Sequence, residues 1–302
     1  MITVAMEPKT FPEYVQAVED VGGKVVPLDS SVKGLIWLDY SQPQALEELL
    51  DKNPQIEWVQ LPFAGVDAFS EIIKRPIRFT SAKGSYREPV AEHALALSLS
   101  LMRIIPERVK TKTWGRQFAE SLYDSQVLIF GGGGITEELI KILLPFRAKI
   151  TVIRKREGSL EGATQTVGFD QLDAMLPLAD LVILAAALTD ETRYLFDSSK
   201  FALMKPSAYL VNIARGPMVK TDDLIDALNA EVIAGAAVDV TDPEPLPDGH
   251  PLWNAKNIII TPHSADTRKQ VVRLFSERIR ENVAAFQHGT GWVGVVDPEF
   301  GY

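Results

Sequence analysis

The chain contains no cysteine, which excludes a disulfide framework, a thiolate zinc site and a catalytic thiol, and fits a reducing compartment. Basic residues are in deficit: 31 Lys and Arg against 40 Asp and Glu give a formal net charge of −9. A surface of that sign repels polyanions, so neither nucleic acid nor an anionic membrane is an expected partner. Long apolar runs are missing too. The most apolar segment, 94–102, is interrupted by Ser98 and Ser100, whereas a bilayer span needs about 20 residues. The N-terminal MITVAMEPKT has no basic stretch leading into an apolar run, so a signal peptide is not expected and a cytoplasmic location is. Histidine is scarce, with four in the chain, and no His, Asp and Glu cluster has metal-ligand spacing, so no metal is expected. There is neither a fixed-period repeat nor a low-complexity tract.

What is present is the composition of an ordinary globular protein, 46% hydrophobic and 24% charged over 302 residues. At roughly 150 residues per domain, that length suggests two domains. Short apolar runs at 2–6, 34–38 and 57–61 read as strands, and helical spacing at 11–21 and 44–52 separates them. Residues 81–89, SAKGSYREP, suit a hinge, and a very apolar helix follows over 90–103. A second alternating series has strands at 126–130, 149–153, 181–185, 209–212, 232–239 and 258–261. Helical patterns at 135–144, 169–176 and 221–229 lie between several of them, and 266–288 reads as a long amphipathic helix returning to the first domain. Runs such as LVILAA lack polar alternation, as strands do when helices cover both faces of a parallel sheet. The fold class is α/β, with two doubly wound parallel-sheet domains.

The segment VLIFGGGGITEELIKILL is a strand, a glycine turn and a helix. In a dinucleotide fold such a turn brings a pyrophosphate to the free N–H groups of the helix N-terminus. Gly131 and Gly133 fill the first two fingerprint positions, with Gly134 and Ile135 following, but Thr136 holds the third, so a slightly displaced helix is expected. Glu137 and Glu138 suit the helix dipole while putting negative charge near the phosphates. Alone, the segment is equally an ordinary strand-to-helix turn. The next strand, ITVI, ends in Arg154, Lys155 and Arg156. An NAD site wants a carboxylate there for the ribose 2′-hydroxyl, whereas a basic triplet suits the 2′-phosphate of NADP. NADP(H) is therefore favoured and NAD(H) is the alternative.

Three later segments, LVNIARGPMV, AAVDVTDPEPLP and IIITPHSA, each follow a strand, where doubly wound sheets place ligand sites. Singly, Arg215, Asp239, Glu244 and His263 are ambiguous. Together they supply a carboxylate clamp, a proton donor and an acid to hold that donor. His93, in the apolar VAEHALAL, reads as structural, and His250 and His288 carry no motif.

With PFAGVDAF, PVAEHALAL, GGGGIT, MKPSAYLVNIARGPMV, AAVDVTDPEPLPDGHPLW, NIIITPHSA and VVDPEFGY in order, the chain resembles the D-isomer-specific 2-hydroxyacid dehydrogenases. It looks most like their NADPH-using glyoxylate/hydroxypyruvate reductase branch. The departures are Thr136, Arg154 in place of the acid, and Ala187 where the family usually has proline. The resemblance implies a Rossmann-type cofactor domain over 92–267 and a flavodoxin-like substrate domain from 1–91 and 268–302, working as a homodimer with a closing hinge. It implies that Arg215 pairs with the 2-oxoacid carboxylate, assisted by the N–H groups of Ala64 and Gly65. His263, held by Glu244, protonates the carbonyl oxygen while NADPH delivers hydride. Asp239, with Ile213, Ala214, His263 and Ser264, is implied at the cofactor. Trp37 and Trp114 match aromatic positions that line the substrate pocket, although packing or a subunit interface explains either equally well. The alternatives are an NAD-using or broad-range 2-ketoacid reductase and a non-catalytic dinucleotide-sensing member, for which the Arg215, Glu244 and His263 trio has no use. A methyltransferase fares worse, since its ribose site also wants an acid where Arg154 stands.

Overall fold

The computed structural model describes residues 2–115, 118–155 and 158–298. It divides into two compact units, one formed by Met1–Tyr86 with Thr267–Tyr302 and the other by Arg87–Asp266. The first unit begins β1 (Thr3–Glu7), α1 (Pro12–Glu19), β2 (Lys24–Val25), β3 (Gly34–Trp37), α2 (Pro43–Lys52), β4 (Trp58–Gln60) and β5 (Arg78–Thr80). Prolines open both α1 and α2, where their missing N–H groups need no partner. The strands form one parallel sheet in the order β2-β1-β3-β4-β5, the flavodoxin-like arrangement.

The second unit runs α3 (Arg87–Met102), α4 (Ile105–Lys110), β6 (Gln126–Phe130), α5 (Gly134–Leu143), β7 (Lys149–Ile153), β8 (Gln165–Val167), α6 (Leu172–Met175), β9 (Leu181–Leu184), α7 (Ser198–Leu203), β10 (Tyr209–Asn212), α8 (Thr221–Asn229), β11 (Gly235–Val238) and β12 (Ile258–Ile260). Its seven strands are parallel in the order β12-β11-β10-β9-β6-β7-β8. The order reverses between β6 and β9, the switch point at which such sheets open a ligand crevice. Every residue of β9, β10 and β11 is buried, because α3 and α5 cover one apolar face and α7 and α8 the other. The last helix, α9 (Arg268–His288), belongs to the first unit. It packs on α1, and the buried Arg278 donates to the carbonyls of Ser81 (2.6 Å) and Lys83 (2.8 Å). Its Asn282 amide donates to Gln60 at 2.7 Å.

Two elements differ instructively from expectation. The helix expected over 169–176 is only the single turn α6 between 3₁₀ turns, since Pro177 ends the helical hydrogen bonding. The strand expected from 232 starts at Gly235, because the Val232 N–H closes the end of α8 on the Ala227 carbonyl at 2.8 Å. Among the described residues no helix is long and apolar enough to cross a membrane.

Candidate active site

The glycine turn leaves β6 at the switch point. Gly131 has φ +119°, and a Cβ there would lie 2.5 Å from the Ala185 backbone, so this position needs glycine for both conformation and space. A Cβ on Gly133, the residue preceding α5, would meet nothing within 4 Å. The loop is thus tight against β9 on one side and open at the helix N-terminus, which Gly134 and Ile135 begin. Thr136 is fully buried and donates its hydroxyl to the Gly131 carbonyl at 2.8 Å. That bond ties the first turn of α5 to the loop in the place of glycine packing. Glu138 pairs with Lys141 at 3.0 Å, which partly neutralises its charge. The Arg154 side chain lies over Gly132, where a Cβ would come within 2.6 Å of its Cδ. Lys155 is exposed and pairs with Glu191 at 2.9 Å; Arg156 lies outside the described residues. An open cradle with a guanidinium stem laid over it fits a dinucleotide.

Arg215 follows β10 in a turn shaped by the buried Asn212. The Asn212 side chain accepts from the Ala214 N–H (3.0 Å) and donates to the Arg215 carbonyl (3.0 Å). Ile213 and Ala214 are buried beside it. A Cβ on Gly216 would lie 1.9 Å from the Thr241 carbonyl oxygen, so the Arg215 loop seats directly on the loop that carries Glu244. The Glu244 carboxylate meets His263 Nδ1 at 2.6 Å, and its other oxygen accepts the Thr241 N–H at 3.4 Å. Hydrogen bonding to Glu244 raises the His263 pKa against the opposing effects of desolvation and of the Arg215 charge. The same bond lowers the Glu244 pKa. An imidazolium paired with a carboxylate beside a guanidinium is a proton donor next to an anion site.

His263 adopts the left-handed region at φ +50°, a conformation costing about 1–3 kcal/mol for a residue with a Cβ. Asp239, 2% exposed, holds that turn. Its carbonyl accepts the His263 N–H at 2.8 Å, and its carboxylate accepts Thr261 Oγ1 (2.6 Å), Ser264 N–H (2.9 Å) and Ala265 N–H (3.2 Å). Among the described residues no group of three His, Asp or Glu side chains could hold a metal ion.

The structure thus brings Arg215, Asp239, Glu244, His263 and Ser264 together at the strand ends of the second unit. Ala64 and Gly65 lie in the first unit, in the partly exposed loop after β4. One expectation requires correction. Trp37 is 2% exposed within the apolar core of its own unit and donates its indole N–H to the Asp39 carbonyl. It ends a strand whose residues are all buried, so the indole fills core rather than lining a pocket. Trp114 is 89% exposed. Sequence reasoning also set aside His93, whose Nε2 lies 3.1 Å from Thr261 Oγ1 and 3.2 Å from Asp239 Oδ1. Neither partner is near it in sequence, so no local signal exposed it.

A parallel sheet with a glycine cradle at its switch point and a histidine–carboxylate pair beside an arginine defines a dinucleotide-dependent oxidoreductase. Residues 93–265 match the family described as D-isomer specific 2-hydroxyacid dehydrogenase, NAD binding domain. The chain is 37% identical over 298 residues to an uncharacterized protein of the proB 3′ region of Corynebacterium melassecola, covering 96% of this chain and 97% of that one. It is 32% identical over 254 residues to a glyoxylate reductase of Thermofilum pendens (80% and 75% covered). With a human glyoxylate reductase/hydroxypyruvate reductase the identity is 32% over 236 residues (74% and 72% covered). Among solved structures, a D-isomer specific 2-hydroxyacid dehydrogenase from Xanthobacter autotrophicus superposes with a TM-score of 0.86 at 24% identity over 99% of both chains. The chain belongs to the D-isomer-specific 2-hydroxyacid dehydrogenase family. It is an oxidoreductase that interconverts 2-oxoacids and 2-hydroxyacids by hydride transfer with a nicotinamide cofactor.

Proposed function

We propose that the protein reduces small 2-oxoacids of the glyoxylate and hydroxypyruvate type to D-2-hydroxyacids, using NADPH in preference to NADH. The observation that carries this reading is the His263–Glu244 pair beside Arg215. Arg215 pairs with the substrate carboxylate and polarises the neighbouring carbonyl. His263, kept protonated by Glu244, gives its proton to the carbonyl oxygen. The N–H groups of Ala64 and Gly65 are assigned to the same carboxylate by the family resemblance. Gly131, Gly133 and Gly134 with the start of α5 receive the pyrophosphate, and the cofactor, when bound, supplies the hydride. The substrate class rests on relatives that carry those activities in their names.

The cofactor preference rests on Arg154 and Lys155, where a carboxylate would select the 2′-hydroxyl. Arg154→Asp is expected to lower kcat/KM with NADPH far more than with NADH. Glu191→Gln, which removes the exposed Lys155–Glu191 pair, should raise NADPH efficiency by at most a few-fold, given the roughly 0.2–1 kcal/mol of such pairs. Steady-state kinetics with both cofactors tests this, and equal losses in Arg154→Asp would contradict the assignment.

The working form is a homodimer that uses the second unit's exposed apolar stretch. Ile105, Val109, Trp114, Phe118 and Tyr123 are between 48% and 89% exposed, and exposed apolar side chains recurring along one stretch of chain suit an association surface. Trp114→Asp should yield a monomer in sedimentation. A wild-type monomer at micromolar concentration would refute the dimer.

A further inference from the structure

We infer that His93 is a positioning residue that fixes the catalytic turn by clamping Asp239 and Thr261. The inference rests on the reading of His263 as the proton donor and adds a residue which that reading leaves unused. His93 lies in the second turn of α3, with its side chain 20% exposed. Across 168 residues of sequence its Nε2 reaches Thr261 Oγ1 at 3.1 Å, and it reaches Asp239 Oδ1 at 3.2 Å. The proton on that nitrogen is dictated by the partners. A carboxylate only accepts, and the Thr261 hydroxyl already spends its proton on Asp239 Oδ1 at 2.6 Å. His93 must therefore present Nε2–H to both, as it does in the matching neutral tautomer and in the imidazolium alike. The clamp needs no change of protonation to hold.

The Asp239 carboxylate is almost wholly out of water, so each donor matters for keeping it ionised and still. Three of its donors, from Thr261, Ser264 and Ala265, belong to the turn that holds His263 at φ +50°. The fourth, His93, is the one that comes from outside the turn among its described partners. It ties helix α3 to the ends of β11 and β12 and thereby fixes the turn against the sheet. The groups that set the charge on His263 are Glu244 and Arg215 from the neighbouring loops, Asp239, and Asp266 just beyond the turn. A loosened turn no longer holds the His263 ring at its 2.6 Å contact with Glu244.

The test compares wild type with His93→Leu, which keeps bulk and removes the donor, and with His93→Gln, whose amide can place an N–H near the same point. His263 is titrated by NMR in all three proteins, and kcat for 2-oxoacid reduction and NADPH affinity are measured beside it. His93→Leu should bring the His263 pKa down toward the ordinary imidazole value and cost at least about tenfold in kcat, as misplacement of a reacting group does. NADPH affinity should fall by less than kcat does, since the glycine cradle is untouched, and His93→Gln should recover both the titration and the rate. The inference is overturned if His263 titrates identically in all three, or if both variants are equally impaired through lowered thermal stability alone. The titration reads the turn whether or not His263 is the acid. Failure of the acid assignment shows separately, as retained activity in His263→Ala.

Discussion

Replacing His263 with alanine should lower the turnover number for 2-oxoacid reduction by about 10²–10⁴-fold, the range lost with a general acid. NADPH affinity should be largely kept, because the glycine cradle and Arg154 are untouched. The pH dependence has a definite sign. On the proposed mechanism reduction needs protonated His263, whose pKa is raised by Glu244, so the rate should hold at low pH and fall as pH rises through a value above the ordinary imidazole pKa of about 6.5. Glu244→Gln removes the cause and should shift that fall to lower pH. Stability follows the same pair. The His263 contribution is complete below the ordinary imidazole pKa and is lost as pH rises through the folded value. The Glu244 contribution, with its pKa lowered, is lost as pH falls through its own folded value. Both side chains are about half exposed, so solvent screening keeps the stability effect small while the kinetic effect is large. A histidine variant with near-normal kcat would remove His263 from the chemistry.

Arg215→Ala should impair handling of the oxoacid rather than of the cofactor. Leaving a substrate carboxylate without its guanidinium costs on the order of 2–5 kcal/mol, or roughly 30- to several-thousand-fold in kcat/KM. KM for the oxoacid should rise and kcat fall, while the NADPH dissociation constant stays close to wild type. Arg215→Lys should recover only part of the loss, since a point charge cannot grip a carboxylate in two places. The measurement is a pair of saturation curves, one in each substrate. A loss confined to NADPH binding would reassign Arg215 to the cofactor.

The second unit's architecture was legible because its strands are buried on both faces and read as apolar runs, and because the glycine turn and the ARG, DPEP and TPH segments are local motifs. The edges were not. β2 has two residues, β5 opens on the exposed Arg78, and β8 is a three-residue edge strand without a buried residue, so none carries enough apolar periodicity to register. α7 is set by a cap, with the Asp197 side chain accepting the Ser199 and Lys200 N–H groups, and its six residues are too few to show a face. The trio of Arg215, Glu244 and His263 was visible as motifs, but the strain at His263 was not, since φ is fixed by hydrogen bonds to Asp239 from a loop more than twenty residues away. Trp37 misled because GLIW could present its indole to either side of the sheet, and only the packed core decides which.

The central claim is that this chain transfers hydride from NADPH to a small 2-oxoacid with His263 as proton donor. The direct measurement is cofactor oxidation by the wild-type protein with hydroxypyruvate, glyoxylate and phenylpyruvate, each with NADPH and with NADH, and the configuration of the hydroxyacid formed from hydroxypyruvate. The account predicts turnover with NADPH above that with NADH, a preference for the two small oxoacids, and the D-product. Absence of turnover under all six combinations, or formation of the L-hydroxyacid, would contradict it.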